Sequence, residues 1–174
     1  MASRSSLHVI LPVVVAAAVA IGAGAFVAFG PERVWAWFGP ADLGDVGFGT
    51  LQRRETPNDA LACLPQICRA RSDLTAPQID VPPARTVALI QAALAGEPRL
   101  EQVAADPASG SLRYIQRSRW LKFPDTVSIK VIGPPSGPST VLLYSRSQLG
   151  RGDLGVNRAR LERWIGLIEA AAQK

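Results

Sequence analysis

The chain has 174 residues and a mass of 18.5 kDa, enough for one domain and an appendage. An apolar fraction of 48% with only 19% charged residues excludes wholesale disorder, and 14 Pro with 15 Gly argue against an all-helical bundle. The net charge is +5, 16 of the 19 basic residues are Arg, and the single histidine, His8, excludes His-based catalysis and a His-rich metal site in everything downstream.

The first element is an uncharged run of 21 residues, Val9 to Phe29. A helix rising about 1.5 Å per residue needs roughly 20 residues to cross the hydrocarbon layer, so this run is long enough to span it. Pro12 stands near its start, and Trp35, Trp37 and Phe38 follow its end, where interfacial aromatic rings collect. Arg4 precedes the run, while Glu32 and Arg33 cancel after it. The charge bias therefore keeps the N-terminus inside and sends the remainder out. An alternative is a cleaved signal peptide, with Ala23-Gly24-Ala25 as the small-residue site, although the apolar run continues past it to Phe29. Both readings export the rest of the chain.

Residues 1–30 are thus expected to anchor the protein, 31–56 to form a Gly- and Pro-rich tether, and 57–174 to form an α+β domain. Cys63 and Cys68 are the only cysteines, and an even pair in an exported chain reads as a disulfide. Free thiols are the alternative. Pro57, Pro65, Pro77, Pro82 and Pro83 make residues 57–83 extended or looped. Pro82 and Pro83 can start a helix, which VALIQAALAG from Val87 fits and Gly96 stops, with Val87, Ile90, Ala93 and Leu94 as its apolar stripe. Two strand-like runs flank the turn Asp106–Gly110, a third strand covers Thr126–Ile132, and a fourth starts at Thr140. The last helix runs from a cap at Asn157 to about Ala172. Leu161, Trp164, Ile165, Ile168 and Ala171 lie on one face, with Arg158, Arg160 and Arg163 on the others. Short connections favour an antiparallel meander, so the expected fold is a two-layer domain: a four-stranded antiparallel sheet packed by two helices.

Between Ser111 and Arg163 ten basic residues face three acids, Asp125, Asp153 and Glu162. The fourth strand turns from apolar to hydroxylic as it ends and enters a loop with glycines at 150, 152 and 155 that feeds the last helix. Free amides and the dipole make such a helix end an anion site, on which Ser145, Arg146, Ser147, Arg151, Asp153 and Asn157 could converge. The structural alternative has Asn157 as a simple cap, Asp153 paired with Arg151 or Arg158, and Asp125 paired with Arg119. No phosphate-binding glycine motif, triad or cofactor motif occurs, so no cofactor and no metal are expected. Export separates the basic stretch from nucleic acid, and no recognition motif for it is present. Anionic lipid is more accessible.

Three stretches carry a family resemblance: Thr56–Cys68 (TPNDALACLPQIC), Arg117–Val131 (RSRWLKFPDTVSIKV) and Ser145–Trp164 (SRSQLGRGDLGVNRARLERW). Together they resemble the domain-of-unknown-function family numbered 1499, found in bacteria and chloroplasts, over roughly residues 55–170. Members often carry a serine where Gly152 stands here. The resemblance implies an independent domain and an exported setting, and supplies no catalytic residues.

The resulting expectation is a non-enzymatic envelope protein. One helix would hold it in the inner membrane, with a periplasmic domain that binds an anionic small molecule or lipid headgroup. A soluble periplasmic form would follow from cleavage. The alternatives are a protein-interaction module that uses the sheet's uncovered face and Trp120, and an acid-assisted hydrolase built on Asp125 and Asp153.

Overall fold

A computed structural model describes residues 4–173. They form two compact units that divide between Gly39 and Pro40.

The first unit holds helix α1 (Arg4–Phe29) and the short helix α2 (Pro31–Ala36). Ile10–Phe29 is one helix long and apolar enough to cross a membrane, and none of it is buried in the fold. Helix α1 begins before the apolar run, so Pro12 falls in its interior rather than at its start. Phe26 stacks edge-on against Trp35 at 5.0 Å and Phe29 against Trp37 at 5.7 Å, which gathers the aromatic residues at the end of the span.

The second unit is α+β. Its strands are β1 (Asp59–Ala62), β2 (Gln78–Ile79), β3 (Leu100–Asp106), β4 (Ser111–Arg117), β5 (Pro124–Ile132) and β6 (Ser139–Ser147), with α3 (Pro83–Leu94) and α4 (Val156–Ala172) as its helices. The expected meander is present as β3-β4-β5-β6, joined by antiparallel pairing throughout. The sheet has six strands rather than four. The two extra strands come from the proline-rich stretch expected to be looped. Strand β6 pairs with β5 from Thr140 to Ser147, and its other edge would expose unpaired amides and carbonyls. β1 takes the far half of that edge (Asp59 opposite Arg146) and β2 the near half (Ile79 opposite Ser139). Such short segments carry no periodicity from which strands could be read.

Strand alternation sends Leu112, Tyr114, Val127, Ile129, Val131, Val141 and Leu143 to one face, where they meet Val87, Ile90 and Leu94 of α3 and Leu161, Trp164 and Ile168 of α4. Pro83 opens α3 at the position where its missing N–H costs least. Trp164 is fully buried, stacked edge-on at 5.9 Å against Tyr114, and its Nε1 donates to Glu97 Oε2 at 3.3 Å.

The opposite face is covered, which corrects the expectation of an open sheet surface there. Leu61, Leu142 and Tyr144 point to that side and need burial. They receive Phe48 and the loop closed by Cys63 and Cys68. Residues 41–44 are fastened by strand side chains. Leu43 N donates to Thr126 Oγ1 at 3.0 Å, Thr126 Oγ1 donates to the Ala41 carbonyl at 3.0 Å, and Arg113 Nε donates to Asp42 at 2.8 Å. Cys63 and Cys68 form the expected disulfide.

Candidate functional site

The expected site residues divide by strand parity. Ser145 and Ser147 alternate with Arg146 along β6, so the serines look toward α4 and Arg146 toward the opposite face. There Arg146 Nη2 donates to the carbonyls of Leu43 (2.7 Å) and Gly44 (2.8 Å), which makes it a clamp on the 41–44 segment. Arg151 is exposed in the β6–α4 loop. Neither arginine joins the serines.

Ser145, Ser147, Asp153 and Asn157 do converge. Helix α4 starts after Gly155, whose left-handed φ of 79° suits glycine, so Asn157 lies inside the helix and is not its cap. Asp153 takes the capping role: its carboxylate accepts from Gly155 N at 3.0 Å and Asn157 N at 2.8 Å. The helix end is therefore satisfied by the chain's own anion. Asn157 is fully buried and ties the neighbourhood together. Its Nδ2 lies within hydrogen-bonding distance of Asp153 Oδ2 (2.7 Å), Ser147 Oγ (2.9 Å) and the Asn58 carbonyl (3.1 Å). Ser145 Oγ stands 2.5 Å from Asn157 Oδ1.

The centre of this network is Arg160. Its guanidinium donates through Nη1 to Ser145 Oγ (2.7 Å) and Asn157 Oδ1 (2.6 Å), and through Nη2 to Asp125 Oδ2 (2.5 Å). Side-chain exposure is 6% for Arg160 and 9% for Asp125, so the ion pair is buried. The sequence sets Arg160 off the apolar face of the helix and offers Arg119 as one possible partner for Asp125, and packing overturns both. The available signal was spacing: residues 157, 160, 161, 164 and 168 lie on one helical face, and a buried cation there needs a buried acid on the sheet beneath it. Asp153 bonds to the helix end and Asn157, and Arg158 pairs with Glu162. Asn58 was also missed, although its Nδ2 donates to the Gly150 carbonyl at 2.7 Å and pins the β6–α4 loop. Arg54 Nη1 donates to the Ser147 carbonyl at 2.6 Å.

Beside the network lies a cavity of about 240 Å³, between the β4–β5 loop and the β6–α4 loop. Phe123, Pro124, Leu149 and Val156 give it apolar walls, and Asp125, Ser147 and Asp153 supply its polar lining. The two loops that line it also carry exposed apolar side chains. The β4–β5 loop is closed by Ser118 N donating to the Phe123 carbonyl (2.9 Å) and Phe123 N donating to Ser118 Oγ (3.0 Å), which presents residues 119–122 as a tip. Trp120 is 79% exposed, with the Arg119 guanidinium 4.7 Å above its ring, and Leu121 is 49% exposed. In the facing loop Leu154 is wholly exposed and holds a left-handed φ of 53°, a conformation that costs a branched side chain energy. Lys122 and Arg151 complete the set. Among the described residues, no group of three or more His, Cys, Asp or Glu side chains could hold a metal ion.

The model of a family described as a protein of unknown function, DUF1499, matches residues 53–168, which contain both loops, the buried pair and the cavity. No curated protein matches the chain. Among solved structures, the di-domain ARO/CYC BexL from the BE-7585A biosynthetic pathway is similar at 12% identity and a TM-score of 0.45. The alignment covers 66% of this chain and 46% of that one, so the chain spans less than half of that protein's length.

Proposed function

The chain belongs to the DUF1499 family, and on that premise we propose that it is a membrane-anchored envelope protein whose α+β domain engages anionic lipid headgroups through its paired loop tips. The anchor is the apolar helix ending at Phe29, and the domain lies on the periplasmic side of the inner membrane. The reading is carried by one observation. Trp120, Leu121 and Leu154 stand exposed, with Arg119 and Arg151 exposed and Lys122 half-buried, on the two loops whose other residues line the apolar-walled cavity. Burying those side chains at a bilayer surface removes apolar area from water, while the cations meet lipid phosphates at roughly 1 kcal/mol each. Acidic groups at this end are turned inward or neutralised. Asp125 pairs with Arg160, Asp153 caps α4, and Glu101 pairs with Arg117 at 3.7 Å.

The buried network supports this role by holding the two loops in register. Asp125 is the second residue of β5, just after the first loop, while Arg160 and Asn157 belong to the helix that the second loop feeds. The test is emission from Trp120. The full chain and its Trp120→Phe variant are reconstituted in vesicles containing brominated phosphatidylcholine, with or without phosphatidylglycerol. The difference between the two spectra, which isolates Trp120, should be blue-shifted and quenched with the anionic lipid, and should revert in Arg119→Glu/Lys122→Glu. A Trp120 contribution that stays water-like and unquenched in the anionic vesicles sinks the proposal. Extraction of the same membranes with alkaline carbonate tests the anchor separately, because a spanning helix resists it.

A further inference from the structure

A second cavity, of about 410 Å³, lies on the other face of the sheet, where residues 45–49 cross it. Its apolar lining includes Val46, Phe48 and Ile67, and its polar lining is Asp45 together with a row of three side chains from the centre of the sheet: Ser111, Ser128 and Lys130. Ser128 and Lys130 are two residues apart on β5 and so share a face, while Ser111 on β4 stands directly opposite Lys130. The Lys130 ammonium donates to Ser111 Oγ at 2.9 Å and interacts electrostatically with the exposed Asp106 carboxylate. Ser128 is 5% exposed, and its buried hydroxyl has no hydrogen-bond partner. A buried hydroxyl left unpaired is destabilising, and so is a half-buried ammonium served by one hydroxyl. The acid at the rim, Asp45, is held by Arg113, which also bonds Asp42.

We infer that this cavity is a binding site for a small monocarboxylic acid with a short apolar chain. The site offers one cation and two hydroxyls. A carboxylate carries one charge on two oxygens, which together can accept from all three groups, whereas a phosphate dianion would leave a charge unmatched. The apolar chain then lies along Phe48, Val46 and Ile67, as in a pocket where a few polar groups orient a largely apolar ligand. The position is independent of the loop tips, because it lies on the opposite face of the sheet.

The experiment uses the full chain in phosphatidylcholine nanodiscs, with empty nanodiscs as the blank, and measures saturation-transfer NMR from hexanoate, hexyl phosphate and hexanol. Hexanoate should bind and hexanol should not compete with it. Lys130→Met should weaken hexanoate by at least about tenfold, since it removes a charge-assisted hydrogen bond, and Ser128→Ala by about fivefold. Ser128→Ala should also melt at or above the temperature of the parent chain, because it deletes an unpaired buried hydroxyl. A serine with a purely structural role would show a lower melting temperature and unchanged affinity. The inference fails if hexanoate gives no signal above the blank, if hexanol or hexyl phosphate binds as well as hexanoate does, or if Ser128→Ala leaves its affinity unchanged. Should Lys130→Met not fold, the Ser128→Ala titration still decides.

Discussion

Breaking the Arg160–Asp125 pair should be among the most damaging polar changes available in this domain. Both side chains are more than nine-tenths buried and their charged atoms stand 2.5 Å apart, so neither charge is well solvated without the other. Asp125→Leu alone leaves a buried guanidinium with only Ser145 and Asn157 as acceptors, and Arg160→Met alone leaves a buried carboxylate. Removing one partner of such a pair costs about 3–5 kcal/mol, a large share of the ~5–15 kcal/mol that holds a typical domain together. Replacing both by apolar residues of similar volume removes the desolvation penalty along with the attraction. The double variant also loses two neutral-acceptor hydrogen bonds, worth about 1 kcal/mol each, and part of that is recovered because Ser145 Oγ can donate to Asn157 Oδ1. The double variant should therefore sit within about 2 kcal/mol of the parent, with a coupling of at least about 2 kcal/mol between the sites. Guanidinium chloride titration followed by the emission of buried Trp164 measures all four corners of the cycle. Single variants that each lose less than about 1 kcal/mol, with costs that simply add, would refute the account of a desolvated pair.

The two arginines at either end of Ser147 should behave differently. Arg146→Ala should lower stability by about 2 kcal/mol and raise amide exchange across residues 41–50, since it releases the Leu43 and Gly44 carbonyls, whereas Arg151→Ala should leave the melting temperature unchanged. Reducing the Cys63–Cys68 bond, or replacing both residues by Ala, should cost about 2 kcal/mol in a denaturant titration, because the closed loop is short. Burial would raise the carboxyl of Asp59, yet hydrogen bonds from Arg53 and Tyr144 outweigh it and hold the group below the usual carboxylate range. A lowered folded-state value means that its contribution is complete above about pH 4 and is lost as pH falls through the folded value. Acid titration should thus show a loss of stability below about pH 4 that Asp59→Asn makes shallower.

Chain-local physics was enough for much of this protein. An unbroken apolar run long enough to span a bilayer needs no partner to be recognised, because length and hydropathy alone define it. The β3–β4 hairpin, the alternation of Val127, Ile129 and Val131, and the Leu161–Trp164–Ile168 stripe were equally legible, since period 2 and period 3.6 are properties of the chain itself. What remained hidden depended on contacts between distant segments. β1 and β2 exist because β6 has an edge to be paired, and residues 41–50 are ordered because Leu142 and Tyr144 need a cover. Arg160 looked like a solvated charge until packing set it over Asp125, across 35 residues of chain. The orphaned hydroxyl of Ser128 follows the same rule: an unsatisfied group is defined by what surrounds it, and only the packed sheet decides that.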